Sequence, residues 1–245
     1  MHQQDEGQLL RVDTTGPVRT LTLQRPHRRN ALIPELSSAL LAGLNDAMAD
    51  AAIRAIVLAA EGPAFCAGLD LDFARTANPT AIGQLVDQQQ AIARTILFGR
   101  KPVIAAVHGH AVGGGFEMAL ACDVVVWGES ADGWFPEVAK DLVATGGVSA
   151  LLPLSVGLAR AKAMLLFGDR LSGAALHASG LVYRVLPSAE VAVCAFDLAR
   201  RLAEQPPNAL AFAKRALLTG AADAIRAALE LETRGAVLGP AGVCD

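Results

Sequence analysis

The sequence predicts an α/β protein whose parallel strands are covered by helices, followed by a helical C-terminal region. Up to about residue 145, short apolar and β-branched runs alternate with segments of helical pattern, which is typical of strands buried on both faces. From Gly146 onward, Gly and Pro separate segments that are helical in pattern. We therefore expect residues 1–145 to form the core and residues 146–245 a helical region.

The first elements follow from turn signals and periodicity. Runs at 9–12 and 18–23 are strand-like, and the turn signal Thr15-Gly16-Pro17 between them predicts a hairpin. Pro34 opens an amphipathic helix that extends to Met48. The run 53–59 predicts the next buried strand.

The middle of the chain contains the stretch around which the rest is organised. After a loop of uncertain path, a helix is predicted from about Thr80 to Phe98. The segment Lys101 to Trp127 then reads as strand, glycine turn, helix and strand, with the helix at about Gly114 to Ala121. The helical segments predicted farther on are 151–154, 159–167, 190–204, 207–218 and 221–233.

Composition excludes several classes of function. The chain has 245 residues, 53% of them hydrophobic, and a net charge of −3. That charge offers no basic surface for nucleic acid or for a membrane, and no apolar stretch is long enough to span a bilayer. The polar start, Met1 to Gly7, is not a signal peptide, so we expect a cytoplasmic protein. The four cysteines lack metal-site spacing and are expected to be reduced.

Common cofactor motifs are absent from the sequence. There is no GxxxxGK[ST] phosphate loop, the glycine run does not fit GxGxxG after a strand, and no GxSxG elbow is present. His108 and His110 are two residues apart, but no carboxylate pattern completes a metal site beside them. We therefore predict no metal and no separate cofactor.

The start of the helix at Gly114 is a candidate catalytic feature. Its first amides lack partners within the helix, and the helix dipole makes this end electropositive, which suits a carbonyl oxygen that gains negative charge. Glu117 lies one turn inside it. Taken alone, a glycine triplet of this kind is more often a tight corner between a strand and a helix.

Four motifs together carry a resemblance to a known family. In order along the chain they are Arg29-Asn30-Ala31-Leu32, Ala64-Phe65-Cys66-Ala67-Gly68-Leu69-Asp70, Gly113-Gly114-Gly115-Phe116-Glu117 and Phe135-Pro136-Glu137-Val138. Their sequence and spacing resemble the crotonase (enoyl-CoA hydratase/isomerase) family over roughly Leu9 to Ala236. The resemblance implies a ClpP/crotonase-like spiral of ββα units with a C-terminal helical region that mediates trimerisation.

The resemblance also implies a reaction and its catalytic residues. The amides of Leu69 and Gly114 would form an oxyanion hole for the thioester carbonyl of an acyl-CoA. Glu117 and Glu137 match the two glutamates that hold one water in hydratases of this family, Glu117 as base and Glu137 as acid. The implied reaction is hydration of a trans-2-enoyl-CoA to a 3-hydroxyacyl-CoA in fatty-acid or related metabolism.

Substrate contacts and assembly follow from the same resemblance. Coenzyme A would enter as part of the acyl-CoA substrate, with Arg29 on a CoA phosphate and Ala67, Asp70 and Leu71 along the adenine and pantetheine path. The pair Trp134-Phe135 stands where relatives have smaller residues and would narrow the acyl pocket. Relatives continue into a last helix that helps to cover this site, whereas the sequence here ends with residues 239–245. The implied assembly is a homotrimer or a dimer of trimers.

Two alternatives to hydration remain open from the residues. An isomerase of the family needs only the carboxylate at Glu137, and a non-catalytic acyl-CoA binding protein could share the fold. RNA binding is disfavoured by the acidic balance. A dehalogenase-like enzyme would need an aspartate nucleophile near Thr145, and position 145 itself is threonine.

Overall fold

The computed structural model describes residues 8–238. The expectations for Met1 to Gly7, for Cys244 and for residues 239–245 lie outside this range. The described strands are β1 (Leu10–Thr15), β2 (Val18–Leu23), β3 (Ala55–Ala60), β4 (Ala64–Cys66), β5 (Val103–Val107), β6 (His110–Val112), β7 (Val124–Gly128), β8 (Asp132–Trp134), β9 (Leu171–Ser172) and β10 (Arg184–Leu186).

Helices connect and cover these strands. Within residues 8–238 they are α1 (Pro34–Ala49), α2 (Leu71–Thr76), α3 (Pro79–Phe98), α4 (Gly114–Ala121), α5 (Val148–Val156), α6 (Leu158–Phe167), α7 (Gly173–Ala178), α8 (Val191–Ala203), α9 (Pro207–Thr219) and α10 (Ala222–Leu238). Proline at the first position of α1 and α3 fits the helical backbone there, where its missing N–H has no intrahelical acceptor.

Two sheets form the framework. The larger has the order β1-β2-β3-β5-β7-β10, and the smaller has the order β4-β6-β8-β9. The hairpin β1–β2 is antiparallel, whereas β2, β3, β5, β7 and β10 are parallel to one another. In the smaller sheet β4, β6 and β8 are parallel, and β9 is antiparallel to β8.

The chain alternates between the sheets in a spiral. Each of the pairs β3–β4, β5–β6 and β7–β8 adds one strand to the larger sheet and then one to the smaller, and helices follow each pair. This is the predicted crotonase spiral of ββα units, which the structure confirms.

Both faces of the central strands of the larger sheet are buried. On one face, alternate residues of β3 such as Ile56 and Leu58 join the main core with α1, α3 and α4. On the other face, Ala55 and Val57 pack with residues of α8. Because side chains alternate along a strand, continuous apolar runs are needed to supply both cores.

The structure corrects several predicted elements. The stretch predicted as a loop before Pro79 contains α2, and the supposed glycine turn before α4 contains β6. The C-terminal third is mostly helical, yet β9 and β10 interrupt it and pair with β8 and β7. Residues after 146 therefore complete both sheets, while their role in trimerisation stays a prediction.

Two expectations about chemistry can be compared with the described residues. Cys66, Cys122 and Cys194 are free thiols, and the first two are buried. Burial raises the pKa of Cys66 to about 12, so this thiol is unreactive. Within residues 8–238, no helix combines the length and apolar character needed to cross a bilayer.

Candidate active site

A cavity of about 440 Å³ contains both predicted glutamates. Its wall combines the loop after β4, the start of α4, the segment after β8 and the end of α10. The lining residues used below are Leu69, Gly113, Gly114, Glu117, Trp134, Glu137, Thr145 and Arg170. A larger hollow of about 760 Å³ lies between α3, α9 and α10. It contains neither glutamate, so the smaller cavity is the candidate active site.

Glu117 is held inside the cavity wall by the first turn of α4. Its side chain is 4% exposed, and its two carboxylate oxygens accept hydrogen bonds from the backbone N–H of Thr145 at 2.9 Å and from the Thr145 hydroxyl at 2.6 Å. Burial, reinforced by the charge of Glu137, raises the pKa of Glu117 to about 8. The Thr145 donors oppose this rise because they favour the ionised carboxylate.

Glu137 enters the cavity from the segment after β8. Its carbonyl accepts hydrogen bonds from the amides of Lys140 and Leu142, which fix the backbone of the following turn. The side chain is 8% exposed, and among residues 8–238 its Oε2 has no hydrogen-bond partner. Burial raises the pKa of Glu137 to about 7. A buried carboxyl oxygen without a protein partner is suited to bind a water or a substrate atom.

The two carboxyls titrate as a pair because each resists ionisation while the other is charged. Near neutral pH the pair therefore holds about one proton. Two donors from Thr145 reach Glu117, whereas Oε2 of Glu137 receives none from the described residues. Burial favours the shared proton on Glu117, because it raises the pKa of that carboxyl to about 8 and that of Glu137 to about 7. The Thr145 contacts act in the opposite direction and favour the ionised form of Glu117 and the protonated form of Glu137.

Two backbone amides at the cavity wall are free to bind a ligand oxygen. A parallel bridge pairs Leu32 with Leu69: the Leu32 amide donates to the Gly68 carbonyl, and the Asp70 amide donates to the Leu32 carbonyl. This pattern leaves the Leu69 amide without an acceptor in residues 8–238. The Gly114 amide, at the first position of α4, likewise has none there.

Glycines allow these groups to approach one another. Gly113 has φ +50° and ψ −124°, and a Cβ at this position would collide with Oε1 of Glu137. A Cβ at Gly114 would lie 3.8 Å from Oε2 of Glu117. A Cβ at Gly68, which has φ +76°, would lie 2.6 Å from the Val112 carbonyl oxygen. Any side chain at 68 or 113 would therefore displace the site.

A second layer of polar residues, which the sequence did not indicate, supports Glu117. Glu232 of α10 is 3% exposed and accepts hydrogen bonds from the Gly147 amide at 2.7 Å and from the Ser149 amide and hydroxyl at 2.9 and 2.6 Å. Gln90 of α3 accepts from the Gly146 amide at 2.9 Å. Together they hold the loop that carries Thr145, and burial raises the pKa of Glu232.

The residues predicted to contact CoA fall into two groups. Ala67 and Leu71 line the cavity, but Arg29 and Asp70 are not among its lining residues. Arg29 is exposed with φ +52°, and its carbonyl accepts a hydrogen bond from the Ala67 amide. Asp70 is buried, forms an ion pair with Arg25 at 2.7 Å and caps α2.

The contacts of Asp70 have a structural consequence. Burial by itself would raise the pKa of Asp70, but the hydrogen bonds from Arg25 and from the amides of Phe73 and Asp72 hold it below its usual value. The Asp70 side chain therefore has a structural role in the fold, and its contact with CoA stays a prediction.

The structure also places other residues that the sequence singled out. Trp134 lines the cavity as expected, but Phe135 does not, because it is buried in the core against Phe116. His108 contacts the Gly62 carbonyl, and Nδ1 of His110 accepts from the Asp132 amide. Within residues 8–238, no group of three His, Cys, Asp or Glu side chains could hold a metal ion.

The spiral and its cavity define the crotonase class of protein, and comparison with known proteins agrees. The family model for enoyl-CoA hydratase/isomerase matches residues 13–236. The chain belongs to this family.

Individual relatives carry different names. A 2,3-dehydroadipyl-CoA hydratase of Escherichia coli is 38% identical over 86% of this chain and 82% of its own. A 1,2-epoxyphenylacetyl-CoA isomerase of the same organism is 34% identical over 88% and 84%. The crystal structure of an enoyl-CoA hydratase/isomerase from Mycobacterium paratuberculosis superposes with a TM-score of 0.88 at 28% identity, covering 96% of this chain and 94% of that one.

Proposed function

We propose that this protein hydrates a trans-2-enoyl-CoA to a 3-hydroxyacyl-CoA. The observation that carries the proposal is the presence, in one cavity, of two buried glutamates and of two backbone amides that have no acceptor in residues 8–238. Addition of water to an enoyl thioester needs a base for the water, an acid for the α-carbon and donors for the thioester oxygen. The cavity offers a group for each of these tasks.

Each group is assigned by its contacts. Glu117, whose ionised form Thr145 favours, takes a proton from the water as the oxygen attacks the β-carbon. The resulting enolate oxygen is stabilised by the amides of Leu69 and Gly114, and the electropositive start of α4 adds to this. Glu137 then gives its proton to the α-carbon. The pair ends with the proton on Glu117, and exchange with solvent restores the starting state.

The substrate is bound through its CoA portion in this proposal. Ala67 and Leu71 line the cavity and give the pantetheine arm an apolar path. Arg29 remains a candidate for a CoA phosphate because it is exposed and makes no ion pair within residues 8–238. It is also close to the cavity, since its carbonyl accepts a hydrogen bond from the amide of Ala67, a lining residue. Asp70 acts indirectly, by fixing the start of α2.

The test is hydration of crotonyl-CoA, followed as loss of enoyl-thioester absorbance. Glu117→Gln and Glu137→Gln should each reduce kcat about 10²- to 10⁴-fold, since general acid or base groups contribute this much. Binding of the saturated analogue butyryl-CoA should be preserved in both variants. Full activity in Glu117→Gln would refute the assigned base, and a wild-type protein that binds butyryl-CoA without hydrating crotonyl-CoA would support the non-catalytic binder instead.

Isomerisation is the second candidate, and a relative named as an isomerase favours it. Moving a proton along an acyl chain needs one carboxylate and no water. Oε2 of Glu137, which has no hydrogen-bond partner in the described part of the chain, is the group suited to this role. Conversion of 3-enoyl-CoA to 2-enoyl-CoA that persists in Glu117→Gln, together with loss of hydration, would establish this reading.

A trimer or a dimer of trimers in the cytoplasm is part of the proposal. Several large apolar side chains are exposed on the C-terminal helices, among them Leu154, Leu158, Phe167, Phe212 and Leu217. Such surfaces are typical of interfaces between subunits. We expect light scattering at micromolar concentration to give three or six times the chain mass. A monomer under these conditions would contradict the assembly.

A further inference from the structure

We propose that Arg170 binds a carboxylate at the far end of the acyl chain. This contact would make the protein selective for dicarboxylic enoyl-CoA substrates. The inference rests on the hydration proposed above and adds the class of acyl group to it. Arg170 belongs to none of the four motifs that indicated the family.

Two packing constraints place Arg170 at the wall of the cavity. Two residues before Arg170, the backbone of Gly168 packs closely against residue 135. Its φ is +65°, and a Cβ there would lie 2.6 Å from the Phe135 carbonyl oxygen. The following residue, Leu171, is paired with Gly133 in the β8–β9 ladder. The short segment between these points therefore lies against the strand that leads to Glu137.

The guanidinium of Arg170 is positioned by an aromatic ring. Its central carbon lies 4.3 Å from the centroid of the Trp134 ring, a distance that allows a cation–π interaction. Both side chains line the cavity that contains the glutamates. The Trp134 carbonyl accepts the Gly113 amide at 3.0 Å, so the same residue connects the stacked arginine to the start of α4.

The donors of Arg170 are not used by the described part of the protein. Within residues 8–238, its guanidinium forms no ion pair and donates no hydrogen bond, although Glu117, Glu137 and Asp141 line the same cavity. A guanidinium that lies over an aromatic ring still carries N–H donors, in a fork that matches a carboxylate. Lys140, also at the wall, adds a second positive charge.

Two anions of the substrate could fill this role, the acyl carboxylate and a phosphate of CoA, and a matched substrate pair separates them. Trans-2-hexenedioyl-CoA and trans-2-hexenoyl-CoA have the same chain length and the same CoA, and they differ only in the terminal carboxylate. We expect the wild type to have a higher kcat/KM for the hexenedioyl substrate. Arg170→Leu should lower that value about 10- to 100-fold and change the hexenoyl value less than twofold.

Two variants complete the experiment. Arg170→Lys keeps the charge but loses the planar fork, so it should retain part of the preference. Arg160→Leu removes an exposed arginine of α6 that does not line the cavity, and it should leave both values unchanged. Equal losses on both substrates in Arg170→Leu would mean that Arg170 contacts CoA, and the proposal would be overturned. A wild type without preference would overturn it as well.

The proposal can be tested even if hydration itself fails. Adipyl-CoA and hexanoyl-CoA are the saturated counterparts of the two substrates, and their dissociation constants can be measured by calorimetry without any turnover. Tighter binding of adipyl-CoA that disappears in Arg170→Leu would support recognition of the carboxylate. Equal binding of the two ligands would refute it, whatever reaction the protein catalyses.

Discussion

At the scale of single residues, the site depends on a backbone position, residue 113, whose conformation strongly favours glycine. Gly113 has a positive φ and lies directly against Oε1 of Glu137. Gly114 lies beside the carboxylate of Glu117, and its amide is one of the two proposed donors to the thioester oxygen. The two catalytic candidates are thus separated by consecutive residues without side chains. Any Cβ at residue 113 would strain the backbone and push Glu137 away from its place.

Gly113→Ala should therefore reduce hydration of crotonyl-CoA by about 10²-fold or more, because it displaces the proposed acid. The unfavourable φ should also cost about 1 to 3 kcal/mol of stability. Gly16→Ala is the matched control, since Gly16 has φ +57° in a hairpin turn with open space around it. It should lose stability by strain alone and keep its activity. Equal activity of the two variants would contradict the role of Gly113.

The sequence revealed some of these residues and concealed others for a physical reason. Glu117 and Glu137 lie in motifs that are contiguous in sequence, so a pattern could indicate them. Thr145 is 28 residues from the carboxylate that it binds, and Glu232 is 85 residues from Gly147. No local pattern encodes such contacts. Asp70 shows the opposite case, because it belongs to a motif yet serves as a helix cap and ion-pair partner.

At the scale of elements, the start of α5 is capped from outside by α10. The residue before α5 is Gly147, which has no side chain to accept the first amides of the helix. Glu232 supplies the acceptor, and its charge interacts favourably with the electropositive helix start. This cap also fixes the loop that carries Thr145, whose amide and hydroxyl bind Glu117. Helix α10 therefore helps to position Glu117 through Glu232 and this loop.

Glu232→Ala should lower stability by about 1 to 3 kcal/mol, because it leaves the buried Gly147 amide and the Ser149 amide without their acceptor. For a chain of this size that corresponds to roughly 2 to 4 °C in Tm per kcal/mol. The kcat for crotonyl-CoA should also fall, and its pH profile should shift as Glu117 loses the support of Thr145. The KM should change less than kcat, because Glu232 does not line the cavity.

The control for this variant lies on the same helix. Glu230 is exposed on α10, and Glu230→Ala should leave Tm, kcat and the pH profile nearly unchanged. Glu232→Gln keeps one acceptor oxygen and should fall between the alanine variant and the wild type. If Glu232→Ala lowers Tm but leaves the pH profile unchanged, Glu232 stabilises the fold without positioning Glu117.

Elements differed in how well the sequence predicted them. The long helices α1 and α3 and the buried strands β3, β5 and β7 have enough residues to show a period or a continuous apolar run. Strands β4, β6, β8, β9 and β10 have two or three residues each, which is too short for a pattern. They exist because the spiral places them beside partners that are distant in sequence.

At the scale of the whole molecule, the smaller sheet brings the candidate catalytic groups together. Strands β4, β6 and β8 are adjacent and parallel, so their carboxyl ends meet at one edge. Leu69 follows β4, Gly114 follows β6 and Glu137 follows β8. The first turn of the spiral therefore contributes the Leu69 amide, and the second contributes the Gly114 amide together with Glu117. The third turn contributes Glu137. Motifs far apart in sequence converge because each ends the same kind of strand.

Burial of so many carboxyls predicts how global stability depends on pH. The pKa values of Glu117 and Glu137 are raised by burial from 4.5 to about 8 and about 7, and burial raises the pKa of Glu232 as well. Between pH 4.5 and about 8, the folded chain thus binds more protons at these groups than the unfolded chain does. Stability that is fully present at low pH is therefore lost as the pH rises through this window.

We expect Tm to decrease as the pH is raised from about 5.5 to about 8, and to change little between 8 and 8.5. The double variant Glu117→Gln/Glu137→Gln removes two of the titrating groups and should flatten the curve over this range, because an amide releases no proton.

Glu35→Gln/Glu230→Gln is the control, since both of these glutamates lie outside the cavity on α1 and α10, and it should keep the wild-type slope. A Tm that rises from pH 5.5 to 8 in the wild type, or an unchanged slope in the active-site double variant, would mean that the two glutamates are ionised together in the folded protein. The single shared proton on which the proposed acid and base depend would then be absent.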